Sequence, residues 1–280
     1  MEKSVVRTLE ELPFSRREKE ELRRAIEKAA EKYGTKVSLF LSEECTTGTK
    51  DLRTYTIYID PFNCRKMQRL SRLLGYRISL EEYCYSLILH EHLHDVLWWR
   101  YPEYFRLLDS SIDRLENFFR KVRRKIPFPH ARHYMNLFAD YFIDTVLSRE
   151  EILPEDWDVF KKGVLASAYA ICRFLLPRLR EIFGRYLSEK TPFYAASLYM
   201  NFHLFATASS EVVQLASDWS CMDRIEDVLK EEKGILVRFK KTTTTLLFLK
   251  APQLFPEALE DYIKQSIDLA EYLVSSVWGV

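Results

Sequence analysis

The segment from His90 to His94 holds the residues of this chain that are best placed to do chemistry. Its sequence is HEHLH, and residues i and i+4 of a helix share one face, so the imidazoles of His90 and His94 can bind one metal ion. Glu91 is rotated by about 100° from His90 around the helix, which lets its carboxylate reach a water molecule that the metal activates. Zinc lowers the pKa of such a water towards neutrality, and a carboxylate can then accept its proton. The pattern therefore predicts hydrolytic chemistry with Glu91 as the general base.

Chance and burial both argue that this pattern is more than a coincidence. The chain has 6 His among 280 residues, so a match is expected by chance roughly 0.01 times. The structural alternative is a helix with histidines on mixed faces, which would bury two imidazoles and a carboxylate among Leu89, Leu93 and Leu97. That burial is costly without a ligand, so we expect a metal site. His92 points away from the metal-binding face, and we expect it to pack or to lie at the surface.

A second group of polar residues lies on a later segment that is otherwise apolar. Residues 134–147 contain no Lys, Arg or Glu, and Asn136, Asp140 and Asp144 recur at intervals of four residues. On a helix these three side chains form one polar stripe. Buried carboxylates are normally paired or bound to a metal, so this stripe is a candidate source of further ligands.

In these residues the chain resembles the zincin metallopeptidases, whose catalytic zinc is held by an HExxH helix and a third ligand farther along the chain. His90, Glu91 and His94 match that motif residue by residue. The metzincin branch continues the motif with a glycine and a third histidine, but Leu97 and Arg100 occupy those positions here, which excludes that branch. The resemblance implies a zinc-dependent peptidase with one Zn2+ per chain and a peptide or protein as its substrate.

The chain is more similar to the gluzincin branch, in which an acidic third ligand on a later helix is followed four residues on by a second carboxylate. By this resemblance Asp140 is the third ligand and Asp144 orients His90 from behind, the usual role of a carboxylate next to a ligating imidazole. The stretch 136–144 also resembles the short zincin-like domain of prokaryotic metallopeptidases. The whole resemblance covers about residues 35–150.

Two roles stay open at this point. Glu116 or His133 could replace Asp140 as the third ligand. His133 and Tyr134 precede the ligand helix, and zincins often use such a His or Tyr to stabilise the oxyanion that forms during hydrolysis. We therefore keep His133 and Tyr134 as candidate oxyanion stabilisers.

Capping signals and strand patterns define the elements that must position these residues. Residues 15–18 (SRRE) and 79–82 (SLEE) are capping boxes. The first begins a helix that ends at Gly34, and the second begins the helix that carries HEHLH. Two extended runs, 37–42 and 54–60, predict a β-hairpin or two neighbouring strands. The second run is also a candidate edge strand for pairing with an extended peptide.

The rest of the chain is predicted to be mostly helical. An amphipathic helix over about 103–121 places Asp109 and Asp113 on its solvated face. Further helices are expected over about 131–149, 155–186, 192–216, 222–232 and 256–278. Residues 235–250 fit a hairpin or a helix equally well. The expected fold class is α+β and predominantly helical, with a small sheet or hairpin beside the HEHLH helix. We expect a zincin-like core over 1–150 and a helical region over 151–280, which could form one continuous domain with the core.

Composition restricts the partners and the compartment. The net charge is only +1, and a dedicated nucleic-acid binder usually carries a clear basic excess, so we expect no nucleic acid. The five cysteines contain no CxxC pair, and no uncharged apolar run is long enough for a membrane span. We therefore expect a cytoplasmic protein without a membrane span. Charged residues make up 30%, a bias typical of heat-adapted proteins. The oligomeric state stays open.

Two other classes of function remain possible on the sequence alone. The metal could be purely structural and join helices 79–100 and 131–149 in a non-catalytic zincin scaffold. Alternatively, residues 151–280 could form a helical interaction protein. A structural zinc site normally has four protein ligands, whereas the sequence offers three and leaves Glu91 without another role, so the catalytic interpretation is favoured.

Overall fold

The computed structural model describes residues 4–6, 8–41, 48–51, 56–73, 75–123, 130–208, 226–247 and 249–278. Its described elements in chain order are β1 (Ser4–Val6), α1 (Arg16–Tyr33), β2 (Lys36–Leu41), β3 (Gly48–Asp51), β4 (Thr56–Ile59), α2 (Pro61–Leu73), α3 (Leu80–Arg100), α4 (Pro102–Arg123), α5 (Ala131–Phe142), a π-helix (Ile143–Leu147), α6 (Ser148–Glu151), α7 (Pro154–Glu189), α8 (Pro192–Ala208), α9 (Lys233–Leu247) and α10 (Phe255–Trp278). The predicted fold class, predominantly helical α+β, is confirmed.

The chain divides into two compact units that each contain discontinuous segments. The first unit comprises Met1–Arg100 and Leu147–Ala170, and the second comprises Tyr101–Val146 and Ile171–Val280. The predicted zincin-like core over 1–150 and helical region over 151–280 stay a prediction. None of the described helices combines the length and the apolar character needed to cross a bilayer.

In the first unit, both predicted capping boxes are present. The Ser15 N–H donates to the Glu18 carboxylate at 2.9 Å, and Gly34, at φ 65°, ends α1 in the left-handed conformation that glycine adopts without strain. At the start of α3, the Ser79 N–H donates to Glu82 at 2.7 Å and the Glu82 N–H returns a bond to the Ser79 hydroxyl at 3.1 Å. Local sequence signals therefore set the ends of the two helices that pack most closely in this unit.

The sheet of the first unit has four strands in the order β1-β2-β4-β3. The predicted neighbours β2 and β4 do pair, but in parallel, with Leu39 opposite Ile59, so the hairpin alternative is wrong. A hairpin needs a short turn, whereas β3 lies between the two strands in the chain and pairs antiparallel with the other edge of β4. The helix α3 packs against β3 and β4, which confirms a small sheet beside the HEHLH helix.

The described part of the second unit is helical and has an aromatic core. Phe119 of α4 packs edge-to-face on Tyr134 and Tyr199, with ring centroids 5.4 and 5.7 Å away. Phe138 of α5 packs in the same way on Phe255, at 5.4 Å. Such pairs add attraction beyond the area that they bury, and they align α4, α5, α8 and α10 around one core.

Residues 233–247 settle the choice that the sequence left open between hairpin and helix. They form α9, although its four consecutive threonines favour strands. Each threonine hydroxyl from Thr242 to Thr245 donates to the carbonyl four residues earlier, at 2.7–3.1 Å. Packing of α9 against α10 thus overrides the local preference, and the hydroxyls find acceptors inside the helix.

Other helix bounds differ from the prediction in physically informative ways. The helix predicted over 131–149 is interrupted by the π-helix Ile143–Leu147. The helix α7 continues through Pro177 to Glu189, past the predicted end near 186. Residues 226–229 are helical, whereas 209–225, which include parts of the predicted helices 192–216 and 222–232, lie outside the described residues.

Candidate metal centre

The helix α3 carries the two histidines on a framework that is buried on several faces. Leu89, Leu93 and Leu97 are fully or almost fully buried, so the helix is fixed in position by its apolar side chains. His90 and His94 are half-buried, and their ring centroids lie 5.0 Å apart with the rings almost perpendicular, at 83°. The spacing of one helical turn therefore brings both imidazoles to one point, as the sequence predicted.

Glu91 lies between the histidines in sequence and is buried, with 9% of its surface exposed. Ionised carboxylates are rarely buried without a partner, because burial removes them from water. Within the described residues, no hydrogen bond or ion pair engages this carboxylate. The hydrogen-bond donor that this carboxylate needs must therefore be a water molecule or a ligand, as expected of a general base.

Asp140 belongs to α5 and is half-buried, and its neighbours Ala139 and Tyr141 are buried. One ligand atom from each of His90, His94 and Asp140 lies within 4.8 Å of the others, so these three residues could hold a metal ion. Two imidazole nitrogens and one carboxylate oxygen are a donor set that zinc accepts, and three protein donors leave a position open for a water or a substrate. The residues present therefore fit the metal that the sequence implied.

A π-helix begins three residues after Asp140. The segment Ile143–Leu147 is a π-helix, whose hydrogen bonds span five residues instead of four, and Asp144 belongs to it. Such single π-turns occur frequently at functional sites. No pattern in the sequence predicted it, because a π-turn depends on packing rather than on residue type. Asp144 lies half-buried in this turn, and its predicted role behind His90 stays a prediction.

The structure describes the side chain of one alternative third ligand, Glu116, but not that of the other, His133. The Glu116 carboxylate forms an ion pair with Arg123 and accepts a hydrogen bond from the Ala131 N–H at 3.1 Å. Glu116 thus caps the N-terminus of α5, where a negative charge is favourable. His133 lies in α5, but its side chain is outside the described part of the chain.

Tyr134, one of the two candidate oxyanion stabilisers, lies in the aromatic core. Its ring is fully buried and packs against Phe119 and Tyr199. Burial raises the pKa of its hydroxyl well above the ordinary value. The roles of Tyr134 and His133 at an oxyanion stay predictions.

The predicted surroundings of His92, Asp109 and Asp113 are confirmed. His92 is half-buried, and its ring centroid lies 5.4 Å from that of Tyr33 of α1, so it packs as expected. Asp109 and Asp113 are exposed on α4, which confirms the solvated face of that helix. These three residues are therefore natural controls for the metal ligands.

A buried ion cluster, which the sequence did not reveal, ties α3 to α1 and α7. Asp156 at the start of α7 is fully buried and forms ion pairs with Lys28 at 2.7 Å and Lys32 at 3.0 Å. Tyr85 of α3 and Tyr33 of α1 donate hydroxyl hydrogen bonds to it at 2.9 and 3.2 Å. Burial alone would raise the pKa of Asp156, but the hydrogen bonds from Lys28, Lys32 and Tyr85 outweigh that effect and hold the pKa below its ordinary value.

The same cluster affects Tyr33. Burial raises the pKa of its hydroxyl to about 12, although the Leu153 N–H donates to it at 3.0 Å. Tyr33 thus keeps its proton and can donate to Asp156 while its ring packs against His92. The cluster connects the α3 framework to two other helices of the first unit.

Comparison with known proteins adds no family to these observations. No protein-family model, no curated protein and no solved structure matches this chain. Its candidate metal centre is therefore defined by its own residues: two histidines one turn apart, a buried glutamate beside them and an aspartate on a second helix.

Proposed function

We propose that this chain is a zinc-dependent metallopeptidase of the zincin type, with one Zn2+ per chain held by His90, His94 and Asp140. The observation that carries the proposal is the buried Glu91 in the same turn of α3 as two histidine rings 5.0 Å apart. A purely structural site has no use for a buried carboxylate that binds neither the metal nor another described side chain. The proposed substrate is a peptide or protein, and the proposed location is the cytoplasm.

The division of labour follows from the chemistry of peptide-bond hydrolysis. When bound, zinc acts as a Lewis acid that makes water a better nucleophile at neutral pH and polarises a carbonyl. Glu91 accepts the proton of the attacking water and then passes it to the amine nitrogen that leaves. The metal would be held next to Glu91 by His90, His94 and Asp140. Asp144 would hold His90 in one orientation. The apolar side chains around α3 keep Glu91 aligned.

The decisive experiment removes the base and keeps the metal ligands. Glu91→Gln preserves size and shape, so zinc content and thermal stability should match the wild type. Cleavage of unfolded protein and of peptide libraries should fall roughly 10²–10⁴-fold, because that is what proton transfer by a positioned carboxylate contributes. The assay is run at raised temperature, with and without a zinc chelator. Glu103→Gln, the same change at an exposed position of α4, is the matched control and should retain full activity.

Each result of this experiment decides between function classes. Cleavage by wild type and Glu103→Gln that is lost in Glu91→Gln and blocked by the chelator supports the peptidase. Equal cleavage by all three proteins would reveal a contaminating protease. No cleavage by any of them, with zinc present in each, would replace the peptidase with the non-catalytic scaffold.

A further inference from the structure

A cavity of about 550 Å³ in the first unit is lined by an excess of basic side chains. We call it the basic cavity, and its charged lining residues are Arg17, Arg72, Arg77, Lys162 and Glu82. It lies at the N-terminal end of α3, beside Ser79. His90 is eleven residues farther along that helix, about 16 Å away, so the basic cavity is separate from the candidate metal centre.

Two of the four basic groups already have carboxylate partners. Lys162 forms an ion pair with Glu82 at 2.6 Å, and Arg17 pairs with Glu21 at 2.9 Å. Arg72 and Arg77 have no ion pair or side-chain hydrogen bond within the described residues. The basic cavity therefore presents two uncompensated guanidinium groups.

Two backbone hydrogen bonds connect the end of α2 to the residues just before Arg77. The helix α2 ends in a Schellman motif, in which the Gly75 N–H bonds to the Arg72 carbonyl at 3.0 Å and the Tyr76 N–H to the Ser71 carbonyl at 2.8 Å. Gly75 has a φ of 94°, a backbone conformation in which a residue with a Cβ atom would be strained. This motif folds the chain back so that Arg77 lines the same cavity as Arg72.

The position of Arg77 is fixed further by its neighbour. The buried Gln68 side chain of α2 donates a hydrogen bond to the Ile78 carbonyl at 2.8 Å, and the Ile78 side chain is itself buried. Less conformational entropy is lost on binding when the backbone under a charged group is already ordered. The Gln68 hydrogen bond and the burial of Ile78 thus hold the backbone next to Arg77 in place.

The N-terminus of α3 borders the basic cavity but does not itself create an anion site. Two of its amides already have side-chain acceptors: the Leu80 N–H donates to Glu21 at 3.2 Å and the Glu82 N–H to the Ser79 hydroxyl at 3.1 Å. Recognition of a ligand must therefore come from the side chains of Arg72, Arg77 and their neighbours.

We propose that the basic cavity binds a small molecule that carries phosphate groups. The planar guanidinium fork donates two parallel hydrogen bonds to a phosphate, and two unpaired forks in one cavity match a ligand with more than one negative charge. The volume lies within the range of small-molecule sites, about 300–1,000 Å³. A free polyphosphate and a phospholipid headgroup share this chemistry, and the test separates the two sources.

The experiment uses the full chain and pyrophosphate as the probe. The affinity of pyrophosphate for the chain is measured by calorimetry at about 0.15 M salt, where weak attraction to a diffuse positive surface is largely screened. The variant Arg72→Gln/Arg77→Gln should raise the Kd by up to about 25-fold, since each of the two exposed charged contacts contributes up to about fivefold. The control is Arg106→Gln/Arg180→Gln, which removes two exposed arginines of the second unit. Thermal unfolding confirms that both variants are folded.

A parallel binding assay uses phosphatidylcholine vesicles with and without phosphatidic acid. Binding of pyrophosphate that is weakened only by Arg72→Gln/Arg77→Gln supports the basic cavity as a site for a free phosphate compound. Binding to phosphatidic acid vesicles alone, lost in the same variant, supports the site and assigns its phosphate to a lipid headgroup. No binding of either probe, or equal weakening by the control variant, would overturn the proposal.

Discussion

His90 and His94 differ from the histidine between them in what their rings contact. The rings of His90 and His94 meet edge-to-face on α3, whereas the His92 ring packs on Tyr33. We expect the purified chain to retain about one zinc ion, and His90→Ala or His94→Ala to lose it, because two protein donors rarely hold zinc. His92→Ala, on the same helix, should keep the metal. The measurement is elemental analysis after dialysis.

The same variants give a second readout through stability. A metal that binds only the folded state raises the unfolding temperature of the protein. We therefore expect His90→Ala and His94→Ala to unfold at a lower temperature than the zinc-loaded wild type. Adding zinc should stabilise the wild type and His92→Ala only. Stoichiometric metal in both His90→Ala and His94→Ala would eliminate the proposed centre.

Asp140 and Asp113 test the assignment of the third ligand. Asp140 is half-buried and belongs to the group that could hold a metal ion, whereas Asp113 is exposed on α4. Asp140→Ala should lose zinc, and Asp113→Ala should retain it, as measured by the same elemental analysis. If Asp113→Ala lost the metal and Asp140→Ala kept it, the third ligand would have to be sought on α4.

At the scale of residues, the sequence predicted what depends on local geometry. The pairing of His90 with His94 follows from the helical period alone, and so does the direction of His92 away from their shared face. The engagement of Glu116 with Arg123 and the Ala131 N–H could not be inferred. It depends on how α4 and α5 pack together, which side-chain types do not encode.

At the scale of elements, caps were predicted and pairings were not. The capping boxes at Ser15 and Ser79 are signals within four residues, and both are present. The parallel pairing of β2 with β4 and the helical state of 233–247 depend on contacts with distant segments. Intrinsic preferences of a few tenths of a kcal/mol per residue are easily overridden by such contacts.

Two glycines of α7 test how closely this helix packs on α3. A Cβ atom at Gly163 would collide with the Cβ and Oγ of Ser86, whereas nothing lies within 4 Å of a Cβ at Gly184. Gly163→Ala should therefore lower the free energy of unfolding by about 1–3 kcal/mol, the usual cost of overpacking. Gly184→Ala should raise it by up to about 1 kcal/mol, since alanine is the better helix former.

Urea unfolding followed by circular dichroism measures both changes. The two variants share the helix and the substitution, so any difference between them reports the contact with Ser86 rather than helix propensity. A Gly163→Ala protein as stable as Gly184→Ala would show that α7 does not approach α3 this closely.

At the scale of the whole molecule, long-range charge pairs contribute what no sequence pattern predicts. Lys28 and Lys32 are one turn apart on α1. Their partner Asp156 follows more than 120 residues later, at the start of α7. Because the fold of the first unit brings them together, its stability should depend on pH through one buried carboxylate.

The substitution Asp156→Asn tests this dependence. Because the pKa of Asp156 is lowered in the folded state, its charge stabilises the fold fully above the unfolded pKa of about 3.9, and this contribution is lost as pH falls through the folded pKa. At pH 7 the variant should lose about 2 kcal/mol, since Lys28 and Lys32 would lose charged hydrogen bonds. The difference between wild type and variant in urea unfolding should shrink progressively below about pH 4.

The control is Glu155→Gln, at the exposed neighbour of Asp156 that also pairs with Lys32. This variant should change the free energy of unfolding little, both at pH 7 and at acid pH. A difference that stayed constant down to acid pH would mean that the carboxylate contributes through its shape rather than its charge.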